Sequence, residues 1–154
     1  MGETTIARRK LSVSLPLITS LIYVSNARPG LTEEDFLAIM KVSQRNNQRF
    51  GISGLLLFNG LNFMQCLEGD RAVAHDRLHH IRLDSRHDGI SVVSHREIPR
   101  RQFAEWGMAG HYLGARKGSA RAELCELLAD DAIADSTRAM FQSFGSLGAK
   151  FPAL

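Results

Sequence analysis

The sequence has few of the features that commit a chain to a membrane, a metal or a nucleic acid. It is 154 residues long and 44% hydrophobic, yet no apolar run is long enough to form a membrane span. Its two cysteines, Cys66 and Cys125, stand in no metal-binding or redox spacing. The basic residues are dispersed, and a net charge of +3 requires no anionic polymer as a partner. We therefore expect a cytoplasmic globular protein with two free thiols, and neither a membrane nor a nucleic acid as partner.

The N-terminus carries a pattern with two interpretations. A basic cluster at residues 7–10 precedes the mostly apolar stretch Leu11–Val24, an arrangement typical of a secretory signal. Polar residues and a proline interrupt that stretch, and Leu17–Ser25 is rich in residues that favour strands. We predict a flexible arm over residues 1–15, followed by the first strand.

A β-hairpin over Gly51–Gly69 is the strongest local pattern in the chain. Two apolar runs flank an Asn-Gly dipeptide at positions 59–60, which suits a type I′ turn because both residues tolerate positive φ. Side chains alternate along a strand, so one face of the second strand carries Leu61, Phe63, Gln65 and Leu67. An unsatisfied buried amide costs about 1–3 kcal/mol. Gln65 therefore needs a polar partner.

The flanking patterns predict two helices and three more strands. Thr32 precedes an acidic first turn and should cap a helix whose apolar stripe contains Phe36, Leu37, Ile39 and Met40. In order, we predict a strand over Leu17–Ser25, a helix from Thr32 to about residues 46–47 with Gly51 beyond its end, the hairpin, a helix capped by Asp70 and ending near residues 84–87, and strands over Gly89–Ile98 and Phe103–Tyr112. This β-α-β-β-α-β-β order predicts an α+β, ferredoxin-like fold.

Both faces of the predicted sheet should be covered. The run Leu55–Phe58 is apolar on both of its faces, as in a strand buried from two sides. The two crossover helices can cover one face. The C-terminal segment can cover the other face with helices over about 119–129, capped by Ser119, and 132–144. We predict a main domain over residues 16–113 and a helical cap or output segment over 114–154.

Two groups of side chains suggest possible chemistry. In this topology the first strand neighbours the second hairpin strand, so Tyr23 and Gln65 can meet on one face. On the residues alone, a buried hydrogen bond without function explains such a pair. His75 and His79 stand one helical turn apart, but no further ligand stands at a fixed spacing, which favours a solvated face over a metal site. The glycines match no phosphate-binding or dinucleotide fingerprint.

Five segments in fixed order carry a more specific signal. They are Tyr-Val-Ser at 23–25, Asn-Asn at 46–47 with Gly-Ile-Ser-Gly at 51–54, Phe-Met-Gln-Cys-Leu-Glu-Gly at 63–69, Asp-Ser-Arg-His at 84–87, and Phe-Ala-Glu-Trp-Gly-Met at 103–108. Together they resemble the BLUF family of flavin-based blue-light sensors. The resemblance extends from about Leu17 to Ala109.

The resemblance implies a flavin site between the two crossover helices. Asn47 would hold the pyrimidine edge of the flavin ring, and Asn46 would lie nearby on the ribityl side. Gln65 would bridge Tyr23 and the N5/O4 edge of the ring. Cys66 should point away from Gln65 and pack against the opposite layer. A flavin–cysteine adduct is not expected, because no segment resembles the cysteine motif of the photoreceptor family that forms one.

The resemblance also assigns roles at the two ends of the site. Asp84, Arg86 and His87 would face the ribityl and phosphate end of the cofactor. Trp106 and Met108 would share a face of strand five and relay a change in Gln65. The family implies FAD, although a shorter flavin could fit the same ring pocket.

The implied function is a blue-light photoreceptor without enzymatic activity. Electron and proton transfer from Tyr23 through Gln65 would rearrange hydrogen bonds to a non-covalently bound flavin and shift its absorption to the red. The signal would pass to a separate effector protein or through a change in a homo-oligomer. The alternative is a ferredoxin-like protein-interaction module without photochemistry, and a ferredoxin-like hydrolase is a more distant one.

Overall fold

The computed structural model describes residues 14–105, 107–114 and 118–147. Residues 1–13 of the predicted arm and the relay residue Trp106 lie outside the described residues. The elements are β1 (Ile18–Ala27), α1 (Glu33–Phe50), β2 (Ser53–Phe58), β3 (Asn62–Gly69), α2 (Arg71–Arg82), β4 (His87–Ile98), β5 (Ala109–Tyr112), α3 (Gly118–Leu128) and α4 (Asp135–Leu147).

A five-stranded sheet in the order β4-β1-β3-β2-β5 forms the centre of the molecule. β1 pairs antiparallel with β3 and β4, whereas β2 pairs antiparallel with β3 and parallel with β5. α1 and α2 pack on one face, and α3 and α4 pack on the other. The ferredoxin-like α+β order and the two covered faces are therefore confirmed. In the parts of the chain that the structure describes, no helix is both long and apolar enough to cross a membrane.

α1 is fixed by signals at both ends. The Thr32 hydroxyl accepts a hydrogen bond from the Asp35 N–H at 3.2 Å, and the Asp35 carboxylate accepts one from the Thr32 N–H at 2.8 Å, which is a capping box. The helix continues to Phe50, beyond the predicted end, because Gly51 is the residue that adopts the left-handed C-cap conformation (φ 65°). The predicted stripe was wrong at Leu37, which is 59% exposed because it lies beside the buried face.

The hairpin forms, but its turn differs from the prediction. Gly60 has positive φ (94°) and Asn59 does not, so the turn is not type I′. The Asn59 side-chain oxygen instead accepts from the backbone N–H groups of Leu61 and Asn62, at 3.0 and 2.7 Å. Leu61 lies in this connection and is 70% exposed, so its placement on the β3 row was wrong. Phe63, Gln65 and Leu67 are buried as predicted.

α2 begins as predicted, whereas strand five is much shorter. Asp70 caps α2 by accepting from two backbone N–H groups of the first turn. β5 covers only Ala109–Tyr112, so the strand predicted from Phe103 was wrong. The backbone N–H groups of Gln102 and Phe103 donate to the Glu68 carboxylate, at 2.8 and 3.0 Å, and not to the carbonyl groups of a neighbouring strand. Met108 therefore immediately precedes β5.

α3 and α4 supply the second core of the molecule. Their apolar residues, among them Leu124, Leu128, Phe141 and Phe144, pack against Ile22, Leu55, Leu57 and Cys66 of the sheet. Ser119 lies inside α3, so its assignment as the cap was wrong. Cys66 is fully buried on this face, as predicted, and both Cys66 and Cys125 are free thiols.

Candidate functional site

A cleft lies between α1 and α2 on their side of the sheet. It contains about 720 Å³ of empty space, a figure that includes open solvent at its mouth. Its walls combine aliphatic and aromatic groups with a few polar ones. The lining residues are Tyr23, Ile39, Val42, Ser43, Asn46, Leu56, Phe63, Gln65, Arg77, His80, Ile81, Asp84, Arg86 and His87.

Tyr23 and Gln65 meet at the floor of this cleft. They are direct partners in the antiparallel pairing of β1 with β3, and the Tyr23 hydroxyl donates to Gln65 Oε1 at 2.5 Å. Both side chains are buried. Burial, with a smaller effect of the Asp84 carboxylate, raises the pKa of Tyr23 well above its ordinary value. The phenol is therefore a retained proton donor at neutral and moderately alkaline pH.

Gln65 is bound on both ends of its amide. While Oε1 accepts from Tyr23, Nε2 donates to Met108 Sδ at 3.5 Å. A thioether is a weak acceptor. A stronger acceptor in the cleft would compete for this N–H. The arrangement brings Tyr23 and Gln65 together, as strand alternation predicts, and adds a direct contact of Gln65 with Met108.

Asn47 is buried with an unused donor. Its Nδ2 has no hydrogen-bond partner, whereas its backbone carbonyl accepts from Gly51 and Ile52. Native proteins satisfy nearly all buried polar groups. The unused N–H group is therefore a feature that a carbonyl-bearing ligand would satisfy. Asn46 lines the cleft directly, whereas Asn47 lies behind the lining.

The segment 84–87 forms one end of the cleft. Asp84 binds the Arg86 guanidinium at both Nε and Nη2, so hydrogen bonds and charge hold the pKa of Asp84 below its usual range. The His87 ring bridges Ser25 Oγ at 2.8 Å and the Ile81 carbonyl at 2.6 Å. Because a carbonyl only accepts, Nε2 carries the proton, and in the neutral ring Nδ1 accepts from Ser25. All three predicted residues line the cleft, and their polar groups are already engaged within the protein.

Comparison with known proteins identifies the family. A family model described as "Sensors of blue-light using FAD" matches residues 18–109, more than half of the chain. The chain belongs to the BLUF family. Because BLUF domains bind FAD, the predicted family and flavin cofactor are confirmed. The domain is a sensor module.

Curated relatives share the BLUF region with this chain. The photoactivated adenylate cyclase subunit beta of Euglena longa is 37% identical over 91 residues, which is 58% of this chain and 10% of that protein. The blue light- and temperature-regulated antirepressor BluF of Escherichia coli is 32% identical over 92 residues, 60% of this chain and 23% of that protein. The chain thus spans less than a quarter of the length of these relatives.

Solved BLUF structures share the fold. Klebsiella pneumoniae BlrP1 with FMN and cyclic diGMP matches with a TM-score of 0.73 at 28% identity, over 85% of this chain and 36% of that one. The dark-state structure of the BLUF protein BlrB matches with a TM-score of 0.65 at 28% identity, over 86% of this chain and 98% of that one.

The residues of this BLUF cleft fit a flavin. Apolar side chains of Ile39, Val42 and Ile81 suit a fused ring. Gln65 lines the cleft with an amide donor, and Asn47, next to the lining residue Asn46, holds an unpartnered Nδ2 that a ring carbonyl would satisfy. The lining also contains Arg77, which was not predicted from the sequence, and His80, which on the residues alone is interpreted as helix packing or a minor ligand contact. The signal was available, because Arg77 stands one helical turn before Ile81 and so shares its face.

The α2 histidines His75 and His79, considered above as a metal pair, each contact a different histidine ring. The rings of His75 and His95 contact edge to face, with centroids 5.1 Å apart, and those of His79 and His80 at 6.0 Å. Across residues 14–105, 107–114 and 118–147, no three His, Cys, Asp or Glu side chains form a group that could hold a metal ion.

Proposed function

We propose that this chain is a blue-light photoreceptor that binds FAD non-covalently in the cleft and catalyses no reaction of its own. Residues 16–113 would form the sensor, and 114–154 an output segment. The observation that carries the proposal is the buried hydrogen bond from Tyr23 to Gln65 at the floor of the cleft between α1 and α2. The amide stands between a proton donor and the space for the ring.

The proposed photochemistry uses the two protein groups in sequence. When bound and excited by blue light, flavin is a strong oxidant for a nearby phenol. Tyr23 would supply the electron that the excited flavin takes and, because an oxidised phenol is very acidic, would release its proton to Gln65 Oε1. Gln65 can carry that proton because an amide both donates and accepts. Return of the electron and the proton to Tyr23 would leave Gln65 rotated or tautomerised, so that its amide would offer a changed hydrogen bond to a bound flavin.

Other cleft residues would hold the cofactor in place. Asn47 would satisfy its unused Nδ2 donor on the pyrimidine edge of the ring, with Asn46 nearby. Asp84, Arg86 and His87 would border the ribityl end as a rigid wall, because their polar groups bind one another and the backbone.

The proposed output route begins at Met108. A turned Gln65 would no longer donate to Met108 Sδ, and Met108 leads directly into β5. The β5 residue His111 lies 3.8 Å from Glu123 of α3, so movement of β5 would reach the C-terminal helices. Trp106 would take part in the same relay. The signal would then pass to a separate effector or alter a homo-oligomer.

An absorption spectrum before and just after blue light tests the function. We expect a flavin spectrum that shifts to the red and relaxes in the dark. A flavin spectrum that only bleaches would disprove the Tyr23–Gln65 relay. A protein that stays colourless after refolding with FAD would favour the alternative, an interaction module without photochemistry.

Replacement of Asn47 by Ala should separate cofactor binding from folding. One net hydrogen bond is worth about 0.5–1.5 kcal/mol, so we expect flavin affinity to fall by about three- to tenfold. The flavin-free protein should keep its melting temperature, because the lost Nδ2 has no partner there. Fluorescence titration with FAD and thermal unfolding measure the two effects.

The exposed Gln48, on the same helix, supplies the control for this substitution. Gln48→Ala should change neither the affinity nor the melting temperature. Unchanged flavin affinity in Asn47→Ala would remove Asn47 from the proposed site.

A further inference from the structure

Arg77 is a half-buried cation that faces the cleft without a full set of partners. It lies in the middle of α2, and its side chain is only 14% exposed. Its Nε has no hydrogen-bond partner, and its guanidinium packs over the Phe50 ring at 4.6 Å. Stacking on an aromatic ring orients a guanidinium and leaves its edge free to donate.

The acidic side chains around the cleft do not neutralise Arg77, which leaves its charge available to a ligand. Arg86 is bound by Asp84 at two nitrogen atoms, so that pair carries no net charge. The contact from Arg77 to Asp76 is long, 3.7 Å, and the Asp76 side chain is 58% exposed. Such a pair is worth little in water. The cleft therefore presents positive charge at Arg77, where a ligand anion would be attracted.

We infer that Arg77 binds a phosphate of the flavin side chain and makes this site select FMN and FAD over riboflavin. The inference rests on the proposed flavin site and adds the part of the cofactor that this arginine recognises. A planar guanidinium can donate two parallel hydrogen bonds to a phosphate. The neutral amides of Asn47 and Gln65 suit the uncharged ring, which leaves the anionic tail for Arg77.

The position on α2 agrees with this assignment. Arg77 and Ile81 are one helical turn apart and both line the cleft, which continues to Asp84 and Arg86. A flavin bound in this cleft would therefore share it with the Arg77 guanidinium.

The test compares flavins of different length on the flavin-stripped full chain. Fluorescence titrations with riboflavin, FMN and FAD should give dissociation constants for FMN and FAD at least tenfold lower than for riboflavin. Arg77→Gln should bring the three constants within about threefold of one another without weakening riboflavin. Arg77→Lys, which keeps the charge, should retain part of the preference, and the exposed Arg82→Gln on the same helix should retain all of it.

Two binding results would overturn the inference, and the red shift separates it from the photoreceptor function. Equal affinities in the wild type would mean that no phosphate is recognised. Equal weakening of all three flavins in Arg77→Gln would place the arginine on the ring. An FMN-bound wild type that shows selectivity but no red shift would overturn the photoreceptor function alone, whereas a chain that binds no flavin would overturn both.

Discussion

Replacement of Gln65 by Leu, or of Tyr23 by Phe, is expected to abolish the light-induced red shift while flavin remains bound. Tyr23→Phe removes the hydroxyl that donates to Gln65 Oε1. Gln65→Leu removes both the acceptor for that hydroxyl and the donor to Met108. Neither substitution changes the aliphatic walls of the cleft. The measurement is the difference spectrum after blue light, together with the flavin content of the purified protein.

Tyr112 supplies a matched control. It is the only other tyrosine of the chain, and its ring packs near Phe36 and Phe58 instead of lining the cleft. Tyr112→Phe removes the same atom and should leave the red shift intact. A normal red shift in Tyr23→Phe, or its loss in Tyr112→Phe, would contradict the proposed relay.

Replacement of Glu68 by Gln is expected to destabilise the fold by about 1–3 kcal/mol, the cost of unsatisfied buried polar groups. Glu68 is fully buried at the end of β3. Its Oε2 accepts from the N–H groups of Gln102 and Phe103, and its Oε1 accepts from Gln102 Nε2 at 2.9 Å. An amide at position 68 would point its NH₂ at the NH₂ of Gln102. Urea unfolding of the flavin-free protein measures the loss.

Gln102 cannot turn round to relieve that conflict without a further loss. Its own Oε1 accepts from the Ala134 N–H at 2.9 Å, just before α4. The conflict would therefore be transmitted from β3 to the C-terminal helices. The exposed Glu126→Gln is the control and should change the free energy of unfolding by less than about 0.5 kcal/mol.

The reciprocal double variant should recover the stability. In Glu68→Gln with Gln102→Glu, the amide donates to the new carboxylate, and the other carboxylate oxygen still accepts from Ala134. Gln102→Glu alone should destabilise, because it places two carboxylates together. The double-mutant cycle should give a favourable coupling of about 0.5–3 kcal/mol. Additive losses in the double variant would show that this hydrogen-bond chain does not hold β3 to the 102–103 segment.

The sequence by itself determined the order of the elements and the central pair of the site. Thr32 and Asp70 predict the starts of α1 and α2, because a capping side chain accepts hydrogen bonds from backbone N–H groups only two or three residues further along the chain. Tyr23 and Gln65 were predicted to meet because strand alternation and the fold order bring them to one face. These signals are local or periodic, and they do not depend on how side chains pack.

Only the tertiary structure shows the features that depend on hydrogen-bond partners far away in the sequence. Strand five begins at Ala109 because Glu68, a residue 34 positions before Gln102, takes the N–H groups that a longer strand would use. The unused donor of Asn47 and the cation of Arg77 became visible only when α1 and α2 enclosed one cleft. The sequence shows which side chains carry a hydrogen-bond donor, but whether that donor has an acceptor depends on residues far away along the chain. This is why the sequence predicted the Tyr23–Gln65 pair, whereas the unpartnered Nε of Arg77 is a property of the packed cleft.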